Sequence, residues 1–396
     1  MINVAIVGCG NWGKNYVRNF REIPDARLLV CCDKDEARLK AIKERYPFVR
    51  VTRNFNEVAN NPKVDAVVIA TPPVTHYPIA RTCLLRGKHV LIEKPFTVST
   101  EEADQLVNLA EKGKRVLMVG HILDYHPALR QLKEYIQSGE LGRIYYIYAN
   151  RTSLGIVRDD VSVMWDKAPH DIASLLYLLD DEPVYVAAKG QAFINSGIED
   201  VIFMTLKFRN DIIANIHVSW LDPCKVSKTT IIGEKKMVVF DDAEALEKIR
   251  IYNKGVNRKN GNGNGNGNEN GLAGAVNGNY SNGNGVHPDG LNGFPEFQYT
   301  YSYGDVYIPK IKMSEPLKNQ CLHFLECIRE QKRPMTDGIN GLTVVKVLER
   351  AEDSLRSNGE YVAIEGTGYG LHSMQKASFV ARARSLWRGF RLEKIF

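Results

Sequence analysis

The 396-residue chain has no apolar run approaching the roughly 20 residues a helix needs to cross a bilayer. It also lacks a basic-then-apolar leader, because Ile2-Asn3-Val4-Ala5-Ile6-Val7 already reads as a strand. Both absences lead to the expectation of a cytoplasmic protein. Cysteine is sparse: Cys9, Cys31, Cys32, Cys83, Cys224, Cys321 and Cys327 make seven, an odd number without C-x-x-C spacing. That argues against a disulfide framework and against a zinc site, so no metal is expected. A basic stripe is missing too. The formal net charge is +6, and some of it gathers at the end of the chain, in Lys376, Arg382, Arg384, Arg388, Arg391 and Lys394. No nucleic-acid partner is therefore expected. What remains is an ordinary globular composition, 44% hydrophobic and 25% charged, at a length that suggests two domains.

Up to about residue 125, short, largely apolar segments (4–7, 27–32, 65–70, 89–92 and 116–119) alternate with helical patterns. Continuous apolar strands separated by helices predict a parallel sheet covered on both faces, a doubly wound Rossmann domain over residues 1–125. The pattern then changes. A helix at 127–137, a strand at 144–148 and a helix from Pro169 to Leu179 precede neighbouring strands at 184–191, 201–208, 212–220, 228–232, 237–240 and 248–252. Helices at 317–329 and 341–357 follow. Residues 126–365 thus read as an α+β domain on a mostly antiparallel sheet, and the fold class as α/β. Residues 256–291, rich in Asn and Gly, lack the apolar surface to offset ordering entropy and are expected to form a disordered insertion. The tail, 366–396, mixes arginines with Phe379, Leu386, Trp387, Phe390 and Ile395; it suits weak contact with an anionic membrane surface or simple packing on its own domain.

Gly8-Cys9-Gly10-Asn11-Trp12-Gly13 follows the first strand and opens a helix, the context in which G-x-G-x-x-G cradles a pyrophosphate. Gly8 makes the turn, Gly10 admits the phosphates, and Gly13 brings helix and strand together; Asn11 and Trp12 join them in the loop. Asp33 ends the second strand, twenty residues beyond Gly13, where a carboxylate receives the adenosine ribose hydroxyls. A carboxylate there repels a 2′-phosphate, so the expected cofactor is NAD, although Lys34 next door softens that preference. Two more segments leave the carboxyl ends of strands, where open α/β sheets bind ligands: Ala70-Thr71-Pro72-Pro73-Val74-Thr75-His76 and Glu93-Lys94-Pro95.

Those two segments, with Asp166-Lys167-Ala168-Pro169-His170-Asp171, resemble the Gfo/Idh/MocA family of oxidoreductases over residues 1 to about 362, insertion excluded. The resemblance implies cofactor contacts at Thr71, Pro72, His76, Glu93 and Lys94. It also implies catalysis by Lys94, which holds or polarises the reacting hydroxyl, His170 as general base, and Asp166 as the orienting group. Oxidation of an alcohol needs a group that takes the hydroxyl proton near neutral pH, which suits a histidine. Asp166 alone also reads as an N-terminal helix acid, and His170 as a structural histidine. His121, Arg151, Arg158 and Trp165 are candidate substrate contacts, an arginine at either place being able to meet a diphosphate with two parallel hydrogen bonds. His126 reads as a cleft residue or as a cap for the helix that Pro127 begins.

The family acts on carbohydrates and cyclitols. Segments such as Val218-Ser219-Trp220-Leu221-Asp222-Pro223 and Phe240-Asp241-Asp242 are similar to its sugar-nucleotide branch, UDP-N-acetylglucosamine 3-dehydrogenases among them. That implies oxidation of C3 of a UDP-N-acetylhexosamine in cell-surface glycan synthesis. A free-sugar or inositol dehydrogenase is the alternative within enzymes; a non-catalytic NAD-binding sensor or scaffold is the alternative outside them. A homodimer or homotetramer formed through the second sheet is expected from the resemblance.

Overall fold

The computed structural model describes residues 1–258 and 299–366. The Asn/Gly-rich insertion and the tail therefore lie outside the described residues, except for residues 256–258 and Gly366.

The first sheet is built from β1 (Ile2–Val7), α1 (Gly13–Glu22), β2 (Ala26–Cys32), α2 (Glu36–Arg45), β3 (Arg50–Thr52), α3 (Phe55–Ala59), β4 (Ala66–Ile69), α4 (His76–Leu85), β5 (His89–Ile92), α5 (Thr100–Gly113) and β6 (Leu117–Val119). Its order is β3-β2-β1-β4-β5-β6, all parallel. Every residue of β4 is buried, as a strand covered on both faces requires. Helices pack through one stripe each, such as Tyr16, Val17 and Phe20 of α1, and Ala103, Leu106, Val107 and Ala110 of α5. The chain leaves β1 toward β2 on one side and returns to β4 on the other, so a crevice opens at the carboxyl ends of β1 and β4.

The second sheet follows α6 (Pro127–Gln137) and contains β7 (Ile144–Thr152), then, after α7 (Val163–Leu179), β8 (Pro183–Gln191), β9 (Val201–Phe208), β10 (Ile213–Ser219), β11 (Val226–Gly233), β12 (Met237–Asp241), β13 (Ile249–Arg258) and β14 (Tyr299–Tyr307). Helices α8 (Pro316–Glu330) and α9 (Gly338–Arg356) precede the short β15 (Val362–Ala363). The order is β14-β13-β12-β11-β7-β10-β9-β8-β15, antiparallel except for the central pair β7 and β10. Helices α7 and α9 cover one face.

Several elements differ from expectation. Strand β3 and helix α3 are too short to leave a periodic signature, and β3 pairs only with β2 at the sheet edge. Residues 256–258 belong to β13, which pairs with the unforeseen β14 across the insertion. Helix α7 starts at Val163, not Pro169, because Val163, Met164 and Trp165 are buried and hold an extra turn in place. Pro169 removes only the bond its N–H would have made to Trp165. Finally, α8 packs against α1 of the first sheet, so the chain's last third is shared between the two layers.

Candidate active site

The glycine turn forms as its motif requires. Gly8 has φ +90°, and a Cβ there would sit 2.4 Å from the Ala70 carbonyl oxygen. A Cβ on Gly13 would sit 1.9 Å from the Gly8 carbonyl oxygen, so that position admits no side chain. Asp33 Oδ2 accepts from the Cys9 amide at 2.6 Å and Oδ1 from the Asp35 amide at 2.9 Å, which locks the carboxylate against the loop. A cleft of about 900 Å³ runs from Gly8, Gly10, Asn11, Trp12 and Asp33, past Thr71, Pro72, Glu93 and Lys94, to Arg158, Trp165 and Asp166. That is room for a dinucleotide with part of a substrate. The turn, the opening of α1 and Asp33 fit NAD, and they are the residues that would hold it.

Glu93 lines the cleft wall, and His76 stands behind it. The buried Glu93 carboxylate accepts from the Tyr16 hydroxyl at 2.7 Å and from the Lys94 amide at 3.1 Å, and burial raises its pKa. Tyr16 in turn accepts from Gln320 of α8 at 3.0 Å. His76 is fully buried, with Nδ1 2.8 Å from the Pro95 carbonyl and Nε2 2.8 Å from the Thr71 carbonyl. It clasps the two cofactor-facing loops together and does not face the cleft, which corrects its expected role as a direct contact. Burial pulls its pKa down.

The catalytic candidates converge on α7. Lys94 Nζ donates to the Asp166 carbonyl and, at 3.3 Å, to Asp166 Oδ1. Trp220 Nε1 donates to Asp166 Oδ2 at 3.2 Å. Burial raises the Asp166 pKa, but Lys94, Trp220 and Arg158 outweigh it and the net shift is downward, so the group stays a carboxylate. His170 lies one helical turn on, on the same face. Its pKa is driven well below the ordinary value by burial and by the charges of Lys94 and Arg151, which leaves a neutral imidazole able to take a proton. Nδ1 is sealed without a partner among the described residues, leaving Nε2 as the nitrogen that can exchange one. Asp166 falls in the first turn of α7 and His170 one turn further in, which is the consequence of the extra turn upstream.

Other candidates are placed differently. Arg151 donates through Nε at 2.8 Å and through its NH2 nitrogen at 3.0 Å to the buried Asp171, and through its NH1 nitrogen to Ser227 Oγ at 2.9 Å. A guanidinium satisfied in this way is not free to clamp a diphosphate, which corrects the expected role. Arg158 is paired with Asp160, at 2.7 and 2.6 Å, beside the cleft mouth. Trp165 shows its ring to the cleft while its Nε1 donates to Glu352 of α9 at 2.6 Å. His121 is buried, neither ring nitrogen has a partner among the described residues, and burial near Lys94 lowers its pKa to about 3. His126 Nδ1 accepts from the Ala128 amide at 3.1 Å, so it caps α6.

Sequence reasoning missed Arg38, Trp220 and Lys167. Arg38 lies one turn into α2, 3.6 Å from Asp33, and lines the adenosine end of the cleft. Asp35 caps α2 by accepting from the Ala37 and Arg38 amides, and the spacing of Arg38 from that cap was the available signal. Trp220 and Lys167 both stand within the quoted resemblance segments; Lys167 adjoins Asp166 in the chain, whereas only the fold brings Trp220 beside it.

Residues 2–121 match the model of the oxidoreductase family, NAD-binding Rossmann fold, and residues 129–239 match that of the GFO/IDH/MocA C-terminal domain. The chain belongs to the Gfo/Idh/MocA family. It is an NAD-dependent oxidoreductase. This Gfo/Idh/MocA chain is 32% identical over 220 residues to UDP-N-acetylglucosamine 3-dehydrogenase of Acidithiobacillus ferrooxidans, which covers 55% of this chain and 67% of the relative. It is 24% identical over 219 residues to myo-inositol 2-dehydrogenase of Thermotoga maritima, covering 53% and 66%. The matches span about two thirds of these relatives' lengths. The WlbA dehydrogenase of Bordetella pertussis, solved in complex with NADH and UDP-GlcNAcA, shares the fold with a TM-score of 0.68 at 21% identity, over 92% of this chain and 99% of its own.

Proposed function

We propose that this enzyme oxidises a secondary hydroxyl of a sugar nucleotide, C3 of a UDP-N-acetylhexosamine, in the cytoplasm and for cell-surface glycan synthesis. The observation that supports the reading is the Lys94–Asp166 pair on the cleft wall, with His170 one helical turn beyond Asp166 and under the influence of the Lys94 charge, in a chain 32% identical to UDP-N-acetylglucosamine 3-dehydrogenase. Lys94 keeps one N–H donor beyond the two given to Asp166, and that donor holds the oxygen of the reacting hydroxyl. Its positive charge favours the developing oxyanion. The neutral His170 takes the hydroxyl proton as the C–H hydride leaves. Asp166, a carboxylate throughout, positions the ammonium. NAD, when bound, supplies the hydride acceptor. The open face of the second sheet carries Tyr146, Tyr148, Tyr185, Phe203 and Ile213, all exposed, and supports self-association as a homodimer or homotetramer.

The inositol reading has its own support, since inositol 2-dehydrogenase of Rhodococcus erythropolis is 32% identical over 185 residues. NADH formation at 340 nm with UDP-N-acetylhexosamines, free sugars and inositols separates the two. Turnover confined to UDP-N-acetylhexosamines supports the proposal; turnover confined to inositol replaces it.

A further inference from the structure

Lys167 follows Asp166 on α7, and the carboxylates of Asp166, Asp222 and Asp171 act on its ammonium only from a distance. Its Nζ donates to Ser153 Oγ at 2.9 Å and to the Ser219 carbonyl at 2.6 Å, both neutral oxygens. Among the described residues it forms no ion pair within 4.0 Å. The acids that bear on it from a distance are engaged elsewhere. Asp166 is held by Lys94 and Trp220, Asp171 by Arg151, and Asp222 receives the Cys224 amide. A half-buried ammonium without a counter-ion is unfavourable, and one of its three donors is still unused. Burial, with Arg151 nearby, pulls its pKa below the ordinary value.

The same ammonium lines a cavity of about 630 Å³ together with Gly155, Arg158, Asp166 and Trp220. Arg158 is neutralised there by Asp160, and Asp159 stands exposed at the rim. The Ser219 carbonyl that Lys167 grips is one residue from Trp220, whose indole donates to Asp166. An anion meeting Lys167 therefore lies in a cavity that shares Asp166 with the cofactor cleft. We infer that Lys167 is the anion-reading residue of the substrate pocket, binding a carboxylate or phosphate oxygen that the sugar substrate carries. The inference rests on the proposal that the cleft takes a sugar nucleotide. Two sources supply such an oxyanion: a uronic acid carboxylate on the hexose ring, or the nucleotide diphosphate.

The test compares wild type with Lys167→Gln, which keeps a donor for Ser153 and Ser219 but loses the charge, and with Lys167→Arg. Each is assayed with UDP-N-acetylglucosamine, UDP-N-acetylglucosaminuronic acid, free N-acetylglucosamine and myo-inositol. Binding of the two nucleotide sugars to NAD-loaded protein is measured by calorimetry. Losing a charge-assisted hydrogen bond should raise KM and Kd for the anionic ligand roughly 10- to 100-fold, with kcat within about threefold and NAD affinity unchanged. Lys167→Arg should recover most of the loss. An effect confined to the uronate assigns the ring carboxylate; an equal effect on both nucleotide sugars assigns the diphosphate. Unchanged constants for both nucleotide sugars overturn the inference, as does an equal loss for myo-inositol or no binding of either nucleotide sugar to wild type. Lys167-dependent binding without turnover of any nucleotide sugar sinks the proposed reaction and leaves the anion site standing.

Discussion

Lys94 commits two of its three donors to Asp166, and the third is what the reaction requires. Lys94→Met should lower kcat by about 10²- to 10⁴-fold while leaving NAD affinity within a few-fold, read by turnover and by fluorescence titration. Equal loss of both would make Lys94 structural. Its charge is also one reason His170 titrates low, so the residual activity should show its acid limb at higher pH than wild type. Wild type should hold its rate well below pH 6.5 and lose it only as His170 takes up a proton. Gly13→Ala, with its Cβ 1.9 Å from the Gly8 carbonyl, should abolish NAD binding. At this scale the sequence was readable wherever chemistry is local: the glycine turn, Asp33 and Lys94 are fixed by a strand and the residues after it. Arg151 was unreadable, because its partners Asp171 and Ser227 reach it only once β7, α7 and β11 have assembled.

Two loops from neighbouring strands make the centre of the cleft, and His76 ties them through the Thr71 and Pro95 carbonyls. His76→Leu should destabilise the fold by about 1–3 kcal/mol, because the neutral imidazole donates one N–H and its loss leaves one carbonyl unsatisfied. A rise in KM for NAD should accompany the drop in Tm, since both loops face the cofactor; unchanged KM would limit His76 to packing. The parallel strands β1, β2, β4, β5 and β6 were visible in the sequence because burial on both faces demands unbroken apolar runs. The three-residue β3 and the early start of α7 were not. An edge strand needs no such run, and the first turn of α7 is held by tertiary burial of Val163 and Met164 upstream of a proline that reads as a start signal.

Among the described residues, burial holds seven histidines below the ordinary imidazole pKa: His76, His89, His121, His126, His170, His217 and His323. For His89 and His121 the values fall to about 4 and about 3. The unfolded chain takes up these protons below about pH 6.5 while the folded chain does not, so stability present above that pH is lost as pH falls. The slope is about 1.4 kcal/mol per pH unit for each ring kept neutral. Asp124, pushed up to about 8 by burial, acts in the opposite sense between the ordinary carboxylate range and pH 8. Several histidines outweigh it, so Tm should fall steadily from pH 6.5 to 4.5; a flat profile would contradict the burial of these rings. The two-sheet architecture was legible from strand spacing, whereas the return of α8 onto α1, through Arg18–Glu315 and Tyr16–Gln320, was not, since it joins residues some 300 apart. The most direct test of the central claim is NADH formation with a UDP-N-acetylhexosamine, in wild type and Lys94→Met. The expected result is turnover with NAD in the wild type and its near-abolition in a variant that still binds NAD. Undiminished turnover in Lys94→Met, or none in a wild type that binds both NAD and the sugar nucleotide, would contradict it.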